Sequence, residues 1–86
     1  MPDSPSARQI GHACRIRRAE LHLTQDDVAK RGGMHRNYVG ALERGAISSP
    51  GLNVLTKLAA GLDESVAELL ERATGLDVPE RRRRTA

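Results

Sequence analysis

The stretch LTQDDVAKRGGMHRNYVGALERG, residues 23–45, sets two short apolar-periodic runs on either side of adjacent glycines. Val28 and Ala29 lie before the glycines, and Val39 and Leu42 after them, at spacings that put each pair on one helical face. Thr24 is placed to cap the first run through the backbone N–H of Asp27, and the acids of its first turn suit the positive end of a helix. Gly32 and Gly33 end that run, because a glycine enters the left-handed conformation at little steric cost. The second run starts at about His35 or Arg36 and ends at Arg44, where Gly45 stops it. The unit predicted is two short helices joined by a sharp glycine turn.

Outward from this unit the chain reads as helix throughout. Its 86 residues make one domain with a small core. Trp and Phe are absent and Tyr38 is the one aromatic residue, so the core is built from Leu, Val, Ile, Ala and Met. Residues 1–6 hold two prolines and two serines and read as a disordered lead-in, with Ser6 as a helix cap. A first helix over Ala7 to about Leu21 places Ile10, Ala13, Cys14 and Leu21 inward. Ser49 followed by Pro50 matches an N-cap and first-turn proline for a fourth helix, which turns Leu52, Leu55, Leu58, Ala59 and Leu62 inward. Ser65 with Glu68 forms a capping-box pattern for a fifth, which buries Val66, Leu69 and Leu70. The expected organisation is a lead-in over 1–6, a five-helix domain over 7–74, and a basic tail over 75–86.

Composition excludes several classes of function. No apolar run is long enough to cross a bilayer, and residues 1–9 lack a signal-peptide apolar segment. The single cysteine, Cys14, allows no internal disulfide and no cysteine-rich zinc site, and a reducing cytoplasm fits. His12, His22 and His35 fall on different elements with no metal-ligand spacing. Asp26 and Asp27 are adjacent on a helix and point in different directions. No phosphate loop or nucleophile elbow occurs. The expectation is no catalytic activity, no cofactor, no metal and no small-molecule ligand.

Charge is unevenly distributed. Residues 15–50 carry a net +3, residues 51–79 a net −3, and the tail with Arg81–Arg84 a net +3. A basic face of this kind suits a polyanion. The second helix of the glycine-turn unit also carries groups that match base edges. Arg36 can donate twice to guanine O6 and N7, and Asn37 can pair with adenine N6 and N7.

Several segments in order carry a more specific signal: CRIRRAELHLTQ, LTQDDVAKRGGM, VGALERG, LTKLAAGL and SVAELL. Together they resemble the lambda-repressor-like domains of the Cro/C1/XRE group over about Ile10 to Leu70. The resemblance implies an all-α, five-helix helix-turn-helix bundle and a sequence-specific, double-stranded-DNA-binding transcriptional regulator, read as a repressor. The recognition helix, about 35–44, would enter the major groove. A homodimer on a palindromic operator, in a bacterial or phage cytoplasm, follows from the same likeness. Its surface would be helix 5 with Leu76 and Val78, or the loop at Ile47.

By the same resemblance Gln25 contacts backbone phosphate and braces the first reader, Arg36. Asn37 reads next, and Ala41, one turn on, meets a thymine methyl. His35 is a further base-reading candidate, and it stands at the helix cap where the family usually has Ser or Thr. Thr24, Arg44, Ser48 and Ser49 are phosphate candidates. Tyr38 either covers the helix edge with its ring or meets DNA with its hydroxyl or ring. Arg18 and Glu43 match a pair that ties helix 1 to helix 3. The alternative reading is a protein-interaction module or antitoxin-type adaptor that retains the fold. Such a descendant usually loses the basic readers and the helix-2 glutamine, and this chain keeps both.

Overall fold

The structure, a computed structural model, describes residues 4–78. Residues 1–3 of the expected lead-in and 79–86 of the expected tail, including Arg81–Arg84, lie outside the described residues. The order is α1 Ala7–Glu20, α2 Gln25–Gly32, α3 Arg36–Glu43, α4 Leu52–Gly61 and α5 Val66–Ala73, with no strand among the described residues. Three helices start on the same device, a reciprocal capping box, at Ser6 with Gln9, Thr24 with Asp27 and Ser65 with Glu68. Hydrogen bonds from the Thr24 and Ser65 backbone and side chains hold the Asp27 and Glu68 carboxyls below their ordinary range. Among the described residues no helix is long and apolar enough to cross a membrane.

α4 departs from the sequence reading. Gly51, not Ser49, occupies its N-cap, with no side-chain cap bond, and Pro50 precedes the helix rather than opening its first turn. Leu52, expected inside, is 71% exposed. It shares a helical face with Ala59, but the close backbone approach of α2 to α4 falls at Lys57 and Gly61, in the second half of α4 and away from its first turn.

The core gathers Ile10, Ala13 and Cys14 of α1, Val28 and Ala29 of α2, and Val39 and Leu42 of α3. Leu58, Ala59 and Leu62, with Leu69 and Ala73, complete it from the other side. α1 packs on α3 and α5, and α2 packs on α3 and α4. Leu55, Val66 and Leu70 are half-buried rather than enclosed, as is Leu21 at the end of α1. The packed region continues past Gly75: Leu76 joins the core edge, and its carbonyl accepts from Gln9 Nε2 at 3.1 Å.

The two glycines have separate duties, where the sequence suggested one. Gly33 makes the turn, with φ 72° and ψ 39°. Gly32 is still helical, and a Cβ there would strike the carbonyl oxygen of Lys57. On the facing helix, a Cβ at Gly61 would come within 2.5 Å of the Val28 carbonyl. α2 and α4 therefore touch backbone to backbone. This close crossing is how a core without Phe or Trp is filled.

The orientation of α3 is fixed by Glu43. Its side chain is 2% exposed, and Arg18 donates to it twice, Nε to Oε2 at 2.7 Å and Nη2 to Oε1 at 2.9 Å. Gln25 Nε2 donates to Oε1 at 3.0 Å, and the Cys14 thiol lies 3.4 Å from Oε2. α1, α2 and α3 thus meet on one carboxylate. Burial pushes the Glu43 carboxyl up, but the hydrogen bonds from Arg18, Gln25 and Cys14 and the charge of Arg18 outweigh it, so the net shift is downward. Burial, then the charge of Glu43, pushes the Cys14 thiol far above its ordinary range, so it stays protonated and acts as a donor.

Gly33→Ala should lower stability by about 1–2 kcal/mol, the cost of the left-handed conformation, and Gly33→Asn by less. Gly32→Ala should cost more, because a backbone carbonyl cannot give way as a side chain can; urea denaturation of the three variants checks the order. Glu43→Gln should destabilise by roughly 3 kcal/mol, at the low end for a buried pair because Arg18 is partly exposed. A carboxyl whose folded value is depressed stabilises above its unfolded value, about 4.3, and loses that contribution as pH falls through the folded value. The gap between wild type and Glu43→Gln should therefore hold from neutral pH down to mildly acid pH and close only in stronger acid.

Candidate nucleic-acid interface

α3 presents two unlike faces. Val39, Gly40 and Leu42 are buried, while His35, Arg36 and Asn37 are exposed at its start. The start is fixed from both sides of the turn. Met34 N–H donates to the Ala29 carbonyl at 2.9 Å, and His35 caps the helix with Nδ1 accepting from the Asn37 N–H at 3.1 Å. The imidazole, where the family resemblance implied Ser or Thr, thus makes the cap bond directly. Ala41 lies one turn beyond Asn37 and is half-buried. Tyr38 is half-buried as well, with its ring packed at the core edge.

Gly40 lets the neighbours close over the middle of α3. A Cβ there would sit 3.4 Å from both Gln25 Oε1 and Arg44 Nη1. The Gln25 amide donates to Glu43 through Nε2, while its Oε1 is the atom that could accept from Arg36 in the expected brace. Gln25 and Arg36 still line one open recess together with Thr24. The Thr24 hydroxyl accepts from Asp27 N–H at 3.0 Å, and the Thr24 amide donates to the Asp27 carboxylate at 2.9 Å.

The expected phosphate candidates fall at two ends of α3. Thr24 and Gln25 flank its start. Arg44, Ser48 and Ser49 are exposed at and after its end. Glu43 is inside the helix junction rather than on this surface, while its partner Arg18 is partly exposed and lines the recess beside Thr24, Gln25 and Arg36.

Sequence reasoning missed a second ionic cluster. Glu64, 2% exposed at the side chain, accepts from Arg72 Nη2 at 3.0 Å. Arg17 Nε lies 3.6 Å from the same carboxylate oxygen. Arg17 also donates to the carbonyls of Leu62 at 3.0 Å and Asp63 at 3.1 Å. Arg17 therefore serves the α4–α5 turn and is not part of the basic face beside α3. The one available signal was the glutamate just before the Ser65 cap, in a segment otherwise short of basic partners.

A helix that is anchored on one face, exposed at its first turn and flanked by hydroxyl, amide and guanidinium groups suits a groove with phosphates on either side. The Helix-turn-helix family model HTH_3 matches residues 15–69. No curated protein matches the chain. Among solved structures, the clp gene regulator ClgR from Corynebacterium glutamicum is 29% identical, with a TM-score of 0.72 over 80% of this chain and 88% of that one. The restriction-modification controller protein C.AhdI from Aeromonas hydrophila is 35% identical, with a TM-score of 0.67 over 73% of this chain and 94% of that one. SinR, a master regulator for biofilm formation solved in complex with DNA, is 31% identical, with a TM-score of 0.65 over 71% and 97%. With more than half its length matched, its five-helix order in place and these regulators as neighbours, the chain belongs to the Cro/C1-type (XRE) helix-turn-helix family of DNA-binding regulators.

Proposed function

We propose that the protein is a sequence-specific transcriptional repressor that places α3 in the major groove of double-stranded DNA. The observation that carries this reading is the exposed Arg36–Asn37 pair at the first turn of a helix otherwise locked to the body. Arg36 matches the O6/N7 edge of guanine and Asn37 the N6/N7 edge of adenine. Ala41 offers a methyl contact one turn on, and His35 lies at the edge of the same surface. Thr24 and Gln25 on one side, and Arg44, Ser48 and Ser49 on the other, hold the backbone. Tyr38 adds a hydroxyl at the margin.

One unit of this size reads only a few base pairs. A homodimer on a palindrome, with half-site centres about 34 Å apart, extends the readout. The exposed Leu52, the Ile47 loop and the Leu76–Val78 segment are apolar surfaces available to it. Residues 80–86 add unspecific attraction to phosphate, and a cytoplasmic location follows from the DNA target.

Selection of bound duplexes from a random-sequence pool tests the proposal, with enrichment of one short motif as the expected result. Arg36→Ala should then lose about 1–3 kcal/mol on the selected duplex and relax preference at one base pair. Equal weakening on every sequence would remove Arg36 from the reading face. Deleting residues 80–86 should weaken binding to all duplexes alike and flatten the salt dependence; an unchanged slope in a salt titration would show that the tail makes no phosphate contacts.

A further inference from the structure

His35 uses one ring nitrogen for the protein, and this determines what the other can offer. Its Nδ1 accepts from the Asn37 N–H at 3.1 Å, so Nδ1 carries no proton. A neutral imidazole with a bare Nδ1 must hold its hydrogen on Nε2. The two nitrogens flank Cε1, and their in-plane outward directions diverge widely. With Nδ1 turned toward the first turn of α3, Nε2–H faces away from it, and His35 is exposed. We infer that His35 is a DNA-contacting residue that presents a fixed Nε2–H donor to a hydrogen-bond acceptor on the DNA, either a phosphate oxygen, which would fix register, or the N7 or O6 atom of a purine, which would add specificity. The inference rests on the DNA-reading role proposed for α3.

A serine or threonine cap combines these roles less well. Its hydroxyl can accept at the cap and still donate its hydrogen, but that hydrogen lies close to the backbone, whereas the imidazole caps with one atom and reaches farther with another. The cap bond also restrains the ring, so little side-chain freedom remains to be lost on binding. It fixes the backbone amide of Asn37, the neighbouring reader, at the same time. His35, Arg36 and Asn37 then form a run of one donor, a two-donor fork and a mixed amide. A cytosine N4 or adenine N6 amino group placed opposite His35 would meet donor with donor and be rejected.

The test uses the whole chain and a duplex selected by the wild-type protein from a random pool. His35→Ser keeps a cap and removes the reaching donor; His35→Ala removes both. His35→Ser should melt close to wild type yet bind the selected duplex roughly tenfold more weakly, the loss of one neutral hydrogen bond. His35→Ala should lose both melting temperature and affinity. Replacing single purines by their 7-deaza forms, or single phosphates by methylphosphonates, should reveal one position that weakens wild type but not His35→Ser. A deaza position identifies a base acceptor, and a methylphosphonate position identifies the backbone. Nitrogen-15 spectra, assigned by the resonances missing in His35→Ser, should show the hydrogen on Nε2. Wild-type affinity in His35→Ser, affinity that merely follows melting temperature in both variants, no discriminating position, or a hydrogen on Nδ1 would each overturn the inference. If the pool yields no enriched duplex, the DNA-reading role itself fails and this inference falls with it; an enriched duplex that ignores His35 overturns the inference alone.

Discussion

Glu43 is the constraint on which the placement of α3 depends. A carboxylate in this position would repel a polyanion if it were exposed. Buried alone, it would be strongly destabilising. It is tolerated because two guanidinium N–H groups, one amide N–H and one thiol converge on its two oxygens. Each donor comes from a different direction, Arg18 and Cys14 from α1 and Gln25 from α2, so α3 is held at one rotation about its own axis. Replacing such a cluster by apolar residues often leaves a protein as stable or more so. The physical return here is orientation, because apolar contacts slide and a bidentate pair does not.

The backbone contacts complete that restraint. α2 and α4 meet through Gly32 and Gly61, where any side chain would force the helices apart. Gly11 has the same role between α1 and α3, since a Cβ there would strike the Leu42 carbonyl. Close helix crossings compensate for a core whose largest fully buried side chains are leucines. Only the first turn of α3 is left uncovered, and the basic and amide groups lie there.

Local features were legible in the sequence, and long-range ones were legible only through family likeness. The Thr24–Asp27 and Ser65–Glu68 boxes span three residues each and could be read directly. The Arg18–Glu43 pair, twenty-five residues apart, was expected from the resemblance, and the structure places the two side chains in contact. The start of α4 was misread because Ser49–Pro50 has good capping chemistry, while the turn itself is set by tertiary packing. Leu52 follows the periodicity of a buried residue, yet periodicity does not say where the covering helix ends. The bond from Gln25 to Glu43 was missed because the burial of that carboxylate is not visible in a pattern of letters. Gly32 looked like half of a turn because sequence alone cannot separate a glycine needed for φ from one needed for space.

Arg17 and Arg18 show how far net charge misleads about a surface. They are neighbours in a basic stretch, and both count toward a basic first half. In the structure each is turned to a buried glutamate, Arg18 to Glu43 on α3 and Arg17 to the Glu64 cluster at the α4–α5 turn. Successive residues on a helix point about 100° apart, so one arginine pair ties α1 to the reading helix and to the helices behind it at once. Neither charge is free to attract DNA. Arg36 and Arg44, by contrast, are exposed at opposite ends of α3, and the function proposed above assigns the contact with DNA to them. The charge that orients α3 and the charge proposed to meet DNA are thus carried by different arginines, so either can be altered while the other is left intact.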